Sequence, residues 1–376
     1  MIKPINNIFE STLLGTGGGY GESLVIHLGN SHWIVIDSCI NPKTNESLPL
    51  TYLEKLGVDL SNDVKLIICT HWHDDHIRGI SKLLERCNSA IFSMSTATDR
   101  NKFLRFLGFD NRKGSIESSI SSTYELNACL EILAQRNATF RQCIEDRVLL
   151  AHKDGSFEYT VFSLSPSDYV LDNFTSEIST LITEYGTTNR KIIVESPNSK
   201  SSAIFIKVND LRILLGSDLE VDLNCNRKGW LRVLDFNNVI DKKCTLFKIP
   251  HHGSENGDHE RIWDELLIMK PVSKLTPWNK GKKLPKSNML GRIQAKSEIA
   301  LITSSFHNLR NRHKSRDKDM DKMIRVMKPS LEEVRYSYGE IRCRANILGR
   351  ANVWSIEFFG TAALVDDNFI RNYPIG

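Results

Sequence analysis

The chain has 376 residues, of which 40% are hydrophobic and 25% charged, and its net charge is only +4. That composition suits a globular chain with a real core and excludes a low-complexity or disordered one. No stretch approaches the roughly 18 apolar residues of a membrane helix, and the opening MIKPINNIFE lacks an apolar run after a basic start, so a cytoplasmic protein with no membrane partner is expected.

In chain order, SLVIHL (residues 23–28) and HWIVID (residues 32–37) read as strands joined at Gly29-Asn30. Leu53–Leu60 reads as weakly helical. KLIICT (residues 65–70) is a β-branched run that ends in a polar cluster, as a buried strand delivering residues to a cleft would. A helix over Ile77–Arg86, a strand over Ala90–Met94 and a helix over Leu126–Gln135 follow. TVFSLSP (residues 160–166) is a strand stopped by proline, and residues 168–200 read as a polar loop or small insertion. SAIFIKV (residues 202–208) and RILLGSD (residues 212–218) make a hairpin through Asn209-Asp210, and CTLFKIP (residues 244–250) is a strand ending at histidines. Beyond residue 305 a charged helical stretch, Arg310–Lys328, precedes three strand-like runs, EVRYSY, EIRCRANI and VWSIEFF. Strands followed by helices and hairpins imply an α/β layered domain over residues 1–305, with residues 306–376 as a C-terminal extension.

Eight cysteines are scattered with no C-x-x-C pair, which excludes a zinc ribbon and gives no disulfide framework. Between Lys270 and Lys296 stand eight Lys and Arg residues and no Asp or Glu. Such local charge favours an anionic partner, although a solvated basic face would read the same way. Arg310–Lys328 adds eight basic residues against three acidic ones.

The strongest signal is His71-Trp72-His73-Asp74-Asp75-His76, three imidazoles and two carboxylates within six positions. Imidazole nitrogens and carboxylate oxygens are ordinary zinc ligands and also suit manganese or iron. His71 and His73, two apart, point to one side of an extended segment, and Asp75 and His76 follow where the chain turns into a helix. His251 and His252 are adjacent, so an extended backbone would turn them to opposite sides. One is then a ligand and the other a contact, and either assignment fits the sequence.

This motif resembles H-x-H-x-D-H, the signature of the metallo-β-lactamase superfamily. The likeness extends to Gly21–Ile26 with Ile36-Asp37, to Leu214–Asp218 and to Pro250–Ser254, in the expected order over roughly residues 13–305. It implies an αββα sandwich with a C-terminal α+β extension and two divalent ions, Zn or Mn. The implied metal ligands are His71, His73, Asp75, His76, Asp218, His251 and His252. Asp75 and Asp218 are the implied catalytic carboxylates, and Asp37 is implied to orient a ligand histidine. A hydroxide held between two ions would then attack the substrate. The nearest likeness within the superfamily is to the hydrolase domain of the DNA-uptake protein ComEC and its free-standing relatives, some of which occur beside bacterial antiviral defence genes. That group shows G-x-G-D-S early, where this chain has Gly19-Tyr20-Gly21-Glu22-Ser23, and H-H-G-S late, which His251–Ser254 keeps. Two departures stand out. Where many members carry a further histidine, this chain reads Ser165-Pro166-Ser167-Asp168, so Asp168 is either a substitute ligand or a loop cap. Where the ComEC group has Gly-His-Pro, it reads Lys283-Leu284-Pro285.

By the resemblance, Asp218 stands where true β-lactamases often carry Cys, which favours the phosphodiesterase and general hydrolase branches, and His73 stands where flavodiiron oxidoreductases have Glu, which disfavours redox chemistry. Lys280, Lys282 and Lys283 could meet phosphates, and Trp278 either packs or stacks a base. The reading is therefore a phosphodiesterase or nuclease acting on a nucleic acid or nucleotide. The alternatives are a hydrolase of a small carbonyl substrate (lactone, thioester or β-lactam) and a non-catalytic sensor or assembly subunit, with the C-terminal extension as a surface for a protein partner.

Overall fold

The computed structural model describes residues 2–96, 122–185, 197–279, 281–304, 338–349 and 353–373, together with Asp319, Lys322, Met323 and Val326. Arg310–Lys328 and the EVRYSY run lie almost wholly outside the described residues.

Two eight-stranded sheets carry the fold. The first runs β15 (Ser355–Gly360), β14 (Tyr338–Asn346), β1 (Ile8–Thr16), β2 (Glu22–Gly29), β3 (His32–Ile36), β4 (Val64–Cys69), β5 (Ile91–Met94), β6 (Arg141–Gln142). The second runs β16 (Ala363–Leu364), β13 (Ile299–Ile302), β12 (Leu267–Leu275), β11 (Cys244–Lys248), β10 (Leu211–Leu215), β9 (Ile204–Val208), β8 (Phe157–Ser163), β7 (Arg147–Asp154). Strands β3 to β6 pair in parallel, as do β10 to β13, while the remaining pairs are antiparallel.

Alternation within the strands separates three apolar layers. Leu24, Ile26, Ile34, Ile36, Leu66 and Ile68 face the opposite sheet and meet Val161, Ile206, Ile213, Leu246 and Leu301. Their neighbours Val25, Val35 and Ile67 face outward, under α1 (Leu48–Lys55), α3 (Ile80–Arg86) and α4 (Ser122–Gln135). On the other side Phe205, Leu214 and Phe247 are covered by α6 (Gly229–Phe236) and α7 (Ser287–Lys296) through Trp230, Val233, Leu290 and Ile293. Strands buried on both faces explain runs such as KLIIC that show no polar alternation. The result is an α/β, four-layer αββα sandwich.

The structure corrects several expected elements. The first helix spans Leu48–Lys55 rather than Leu53–Leu60. Pro49, which needs no N–H donor there, opens it, and the left-handed Gly57 (φ 66°) follows its end. Residues 168–185, expected as loop, form the helix α5 (Asp168–Tyr185). Val170, Leu171, Phe174 and Ile178 fill its buried face, while Thr175, Ser176, Ser179 and Thr180 return their hydroxyls to carbonyls four residues back. Strand β1 had no sequence signal, because Glu10, Ser11 and Thr12 interrupt its apolar residues yet are all fully buried. Strand β14 pairs with the whole of β1, from Ile8↔Asn346 to Thr16↔Tyr338, and β15 forms the sheet's edge beyond it.

Candidate metal centre

The ends of the parallel strands converge at one end of the sandwich, where open α/β sheets commonly bind ligands. The end of β4 leads into Thr70–His73 and the short α2 (Asp74–Ile77), that of β3 into Asp37, that of β10 into Ser217-Asp218, and that of β11 into Pro250–Gly253. Gly216 allows the last two to meet, because a Cβ there would stand 2.6 Å from Pro250 Cγ.

His251 and His252 are not extended. Both adopt left-handed backbone (φ 45° and 53°), an uncommon conformation for residues other than glycine and one associated with functional sites. The tight turn sends His252 into the cluster, where its Nε2 lies 3.2 Å from Asp75 Oδ2 and 3.6 Å from Asp218 Oδ2. His251 instead packs beside it, its Nδ1 3.0 Å from Asn256 Oδ1 and its Nε2 3.1 Å from Asn198 Nδ2.

Two donor sets share Asp218, each with its atoms within 4.8 Å of one another: Asp75, His76, Asp218 and His252, all buried, and His71, His73 and Asp218, with His73 half-buried. A third set of the same span, the buried Glu22, Asp37 and His76, lies on the Nδ1 side of His76. His76 Nε2 lies 3.3 Å from Asp75 Oδ2 and 3.4 Å from Asp218 Oδ1. His71 Nε2 lies 3.1 Å from His73 Nδ1 and 3.8 Å from Asp218 Oδ2. Asp218 thus borders both sets.

The surroundings fix the histidines. His76 Nδ1 donates to Asp37 Oδ2 at 2.8 Å, and Asp37 also accepts from the backbone N–H and hydroxyl of Thr70. His252 Nδ1 donates toward the carbonyl and hydroxyl oxygens of Thr276, both at 3.2 Å. Such bonds leave Nε2 with its lone pair toward the cluster, the arrangement usual for metal-ligating histidine. Beneath lies a pair that the sequence reading did not single out as a site: Glu22 accepts from Thr276 and is ion-paired with Lys248, which also donates to the Ser217 carbonyl at 3.2 Å. Both are buried. A lysine inside the apolar run CTLFKIP was the available signal.

Divalent cations fit this donor set. His76 Nε2 and Asp218 Oδ1 are buried without a hydrogen-bond partner, a cost that a coordinated cation would remove. Burial alone would raise the Asp75 and Asp218 carboxyls, but the neighbouring histidines outweigh it and hold both well below the usual carboxylate range. Burial, with His76 and His73 nearby, pushes His71 well below its ordinary value, and burial also lowers His73. Ionised carboxylates and the neutral imidazoles of His71 and His73 are the ligand forms of these groups, whereas Asp218, Asp75 and the other facing carboxylates raise His76 and His252 despite their burial, so an ion binding there would have to displace their protons.

The remaining candidates lie outside the donor sets. Asp168 is exposed at the start of α5 and belongs to none of the donor sets. The loop before it uses its hydroxyls structurally: Ser165 donates to the Ser201 carbonyl and Ser167 to that of Arg227. Trp278 stacks on His252 (ring centroids 5.6 Å apart) and meets Tyr20 edge-on. Lys282 is exposed, Lys283 half-buried, and Lys280 lies outside the described residues. Much of the basic stretch is matched by carboxylates: Lys286 pairs with Glu255, Arg292 with Asp258 and Glu260, and Lys296 with Glu260. Lys274 is buried in the core.

Fold and site together define a metallo-β-lactamase-fold protein with a His/Asp cluster suited to divalent metal. Residues 16–115, which include the His71–His76 motif, match the model of the metallo-beta-lactamase superfamily. A lactamase-like protein of Pestalotiopsis microspora is 25% identical over 134 residues, which is 35% of this chain and 39% of that relative's own length. Among solved structures, the subclass B3 metallo-β-lactamase MEM-A1 from a soil metagenome library is 18% identical, with 67% of this chain and 81% of that one covered and a TM-score of 0.33. The YhfI protein of Bacillus subtilis is 12% identical, with 64% and 70% covered and a TM-score of 0.31. Among the described residues no helix is long and apolar enough to cross a membrane.

Proposed function

We propose that this chain is a metal-dependent hydrolase that cleaves phosphodiesters, as a phosphodiesterase or nuclease, and that it stands beside the free-standing ComEC-like hydrolases. The observation that carries the reading is the Asp218 carboxylate bordering two donor sets, one with Asp75, His76 and His252 and the other with His71 and His73. Two divalent ions held there supply Lewis acidity and lower the pKa of a water toward about 7. The chain's own residues do the rest. Asp218 fixes the spacing of the two pockets, Asp37 and Thr276 hold His76 and His252 in orientation, and the Glu22–Lys248 pair keeps Thr276 and the Ser217 carbonyl in place. Lys282 and Lys283, close in sequence to Trp278, offer charge to phosphate oxygens near the cleft.

The pairing of Lys286, Arg292 and Lys296 with acidic neighbours favours a second reading, a small carbonyl substrate. A panel separates the two: metal-stripped protein reloaded with Zn or Mn is offered single- and double-stranded DNA, RNA, bis-p-nitrophenyl phosphate, a lactone and nitrocefin. Metal-dependent cleavage of a nucleic acid or the diester is expected. Turnover of the lactone or nitrocefin alone would replace the phosphodiester reading with the carbonyl one.

A further inference from the structure

We infer that the chain carries a second ligand site, separate from the metal centre, that takes a small organic cation: an ammonium or amidinium head on an apolar body. The site is a cavity of about 490 Å³ on the outer face of the first sheet, lined by Tyr338, Glu340, Arg342 and Arg344 of β14 and by Glu357 and Phe359 of β15. None of these residues belongs to a donor set. The volume falls within the range of about 300–1,000 Å³ usual for small-molecule sites. Strand alternation builds the cavity. Ile341, Cys343 and Ala345 point into the layer between the sheets, which turns Glu340, Arg342 and Arg344 outward. The antiparallel register then sets Phe359 opposite Glu340 and Glu357 opposite Arg342. Three carboxylates meet two guanidiniums here, because the buried Glu10 pairs with both arginines from below. The guanidinium donors are committed. Arg342 donates to the Tyr52 hydroxyl at 3.1 Å, to Glu357 Oε2 at 2.9 Å and to Glu340 Oε1. Arg344 donates to Glu10 Oε2 at 2.7 Å and to the Ile2 carbonyl at 2.8 Å, with its Nη1 3.8 Å from Glu357 Oε2. The acceptors are not all used: among the described residues, Glu340 Oε2 and Glu357 Oε1 receive no hydrogen bond, although Glu340 is only 2% exposed. Burial raises the Glu340 carboxyl in spite of Arg342, and Glu10 adds to the rise. An incoming cation offsets that surplus of negative charge and gives the two oxygens charged donors. The apolar wall suits the same ligand, since aromatic faces attract cations and Arg342 already lies 5.2 Å from the centroid of the half-exposed Phe359 ring. An anion would instead have to displace Glu357 from Arg342.

The test is calorimetric titration of the metal-stripped full chain with tyramine and benzamidine as cations, and with tyrosol and 4-hydroxyphenylacetate as the neutral and anionic counterparts of tyramine. Saturable binding of tyramine or benzamidine at a single site is expected. Tyrosol and 4-hydroxyphenylacetate should bind at least about tenfold more weakly, because hydrogen bonds between charged groups are the stronger ones. Glu357→Gln and Phe359→Ala should each weaken the cation by about tenfold. Asp218→Asn, which alters the other cluster of carboxylates open to a cation, should leave its affinity unchanged. The inference is overturned if neither cation saturates the protein, if tyrosol or 4-hydroxyphenylacetate binds as tightly as tyramine, or if binding is lost in Asp218→Asn and kept in Glu357→Gln. Should Glu357→Gln fail to fold, the ranking of the four probes and the response of Phe359→Ala still decide. None of these outcomes bears on the metal-dependent hydrolysis.

Discussion

Asp218 is the one side chain common to both donor sets, and it reaches them from the opposite sheet to the one that supplies His71–His76. Below it the buried Glu22–Lys248 pair holds the loops together. Breaking a buried ion pair by removing one partner strands the other's charge and costs about 3–5 kcal/mol, more than replacing both with neutral groups. Lys248→Met should therefore destabilise the fold by about that amount in urea unfolding, and Glu22→Gln/Lys248→Met by less; a double variant no more stable than the single would contradict the pairing. Lys274 differs, because its Nζ donates to the Ser11 hydroxyl and carbonyl rather than to a carboxylate. Burial pushes its pKa down to about 8, against about 10.4 unfolded. Between those values the unfolded chain binds the extra proton, so stability should rise with pH from about 8 to about 10.4. The rise should flatten in Lys274→Met, and an unchanged pH profile in that variant would remove Lys274 as its source.

At the scale of elements, legibility followed burial pattern. The motif His71–His76 stood out because a run of ligand-type residues after a buried strand has few structural explanations, and β2, β3, β4 and the β9–β10 hairpin were readable as β-rich runs between turns. Helix α5 was not, since its outward Ser and Thr residues read as loop until their hydroxyls are seen to bond the helix backbone. Strand β1 was hidden by its buried Glu10, whose partners Arg344, Tyr52 and Thr12 are distant in sequence or carry no signal of their own. The turn of His251 and His252 was also out of reach, because two successive non-glycine residues in left-handed backbone are not expected from residue type. The pairing of β14 along β1 bears on whether residues 1–305 fold alone. A chain cut after residue 304 would lose β14, β15 and β16 and uncover one whole edge of β1. It should aggregate or lack a cooperative thermal transition; a cooperative transition at the full-length midpoint would show instead that the first 304 residues are self-sufficient.

For the whole molecule, the sandwich brings five separated stretches of chain to one end: Asp37, His71–His76, Asp218, His251-His252 and Trp278. Among the described residues, acidic residues between Glu255 and Glu260 lie against three of the cations of Lys270–Lys296. The proposed function therefore rests on the centre rather than on those three cations. The most direct measurement is the rate of bis-p-nitrophenyl phosphate hydrolysis as Zn or Mn is titrated into metal-stripped protein, for the natural chain and for Asp218→Asn. Activity should rise with metal in the natural chain and fall by more than about 100-fold in the variant, beyond the 10–100-fold typical of losing an outer partner. A rate indifferent to metal, or equal in the two proteins, would contradict the central claim.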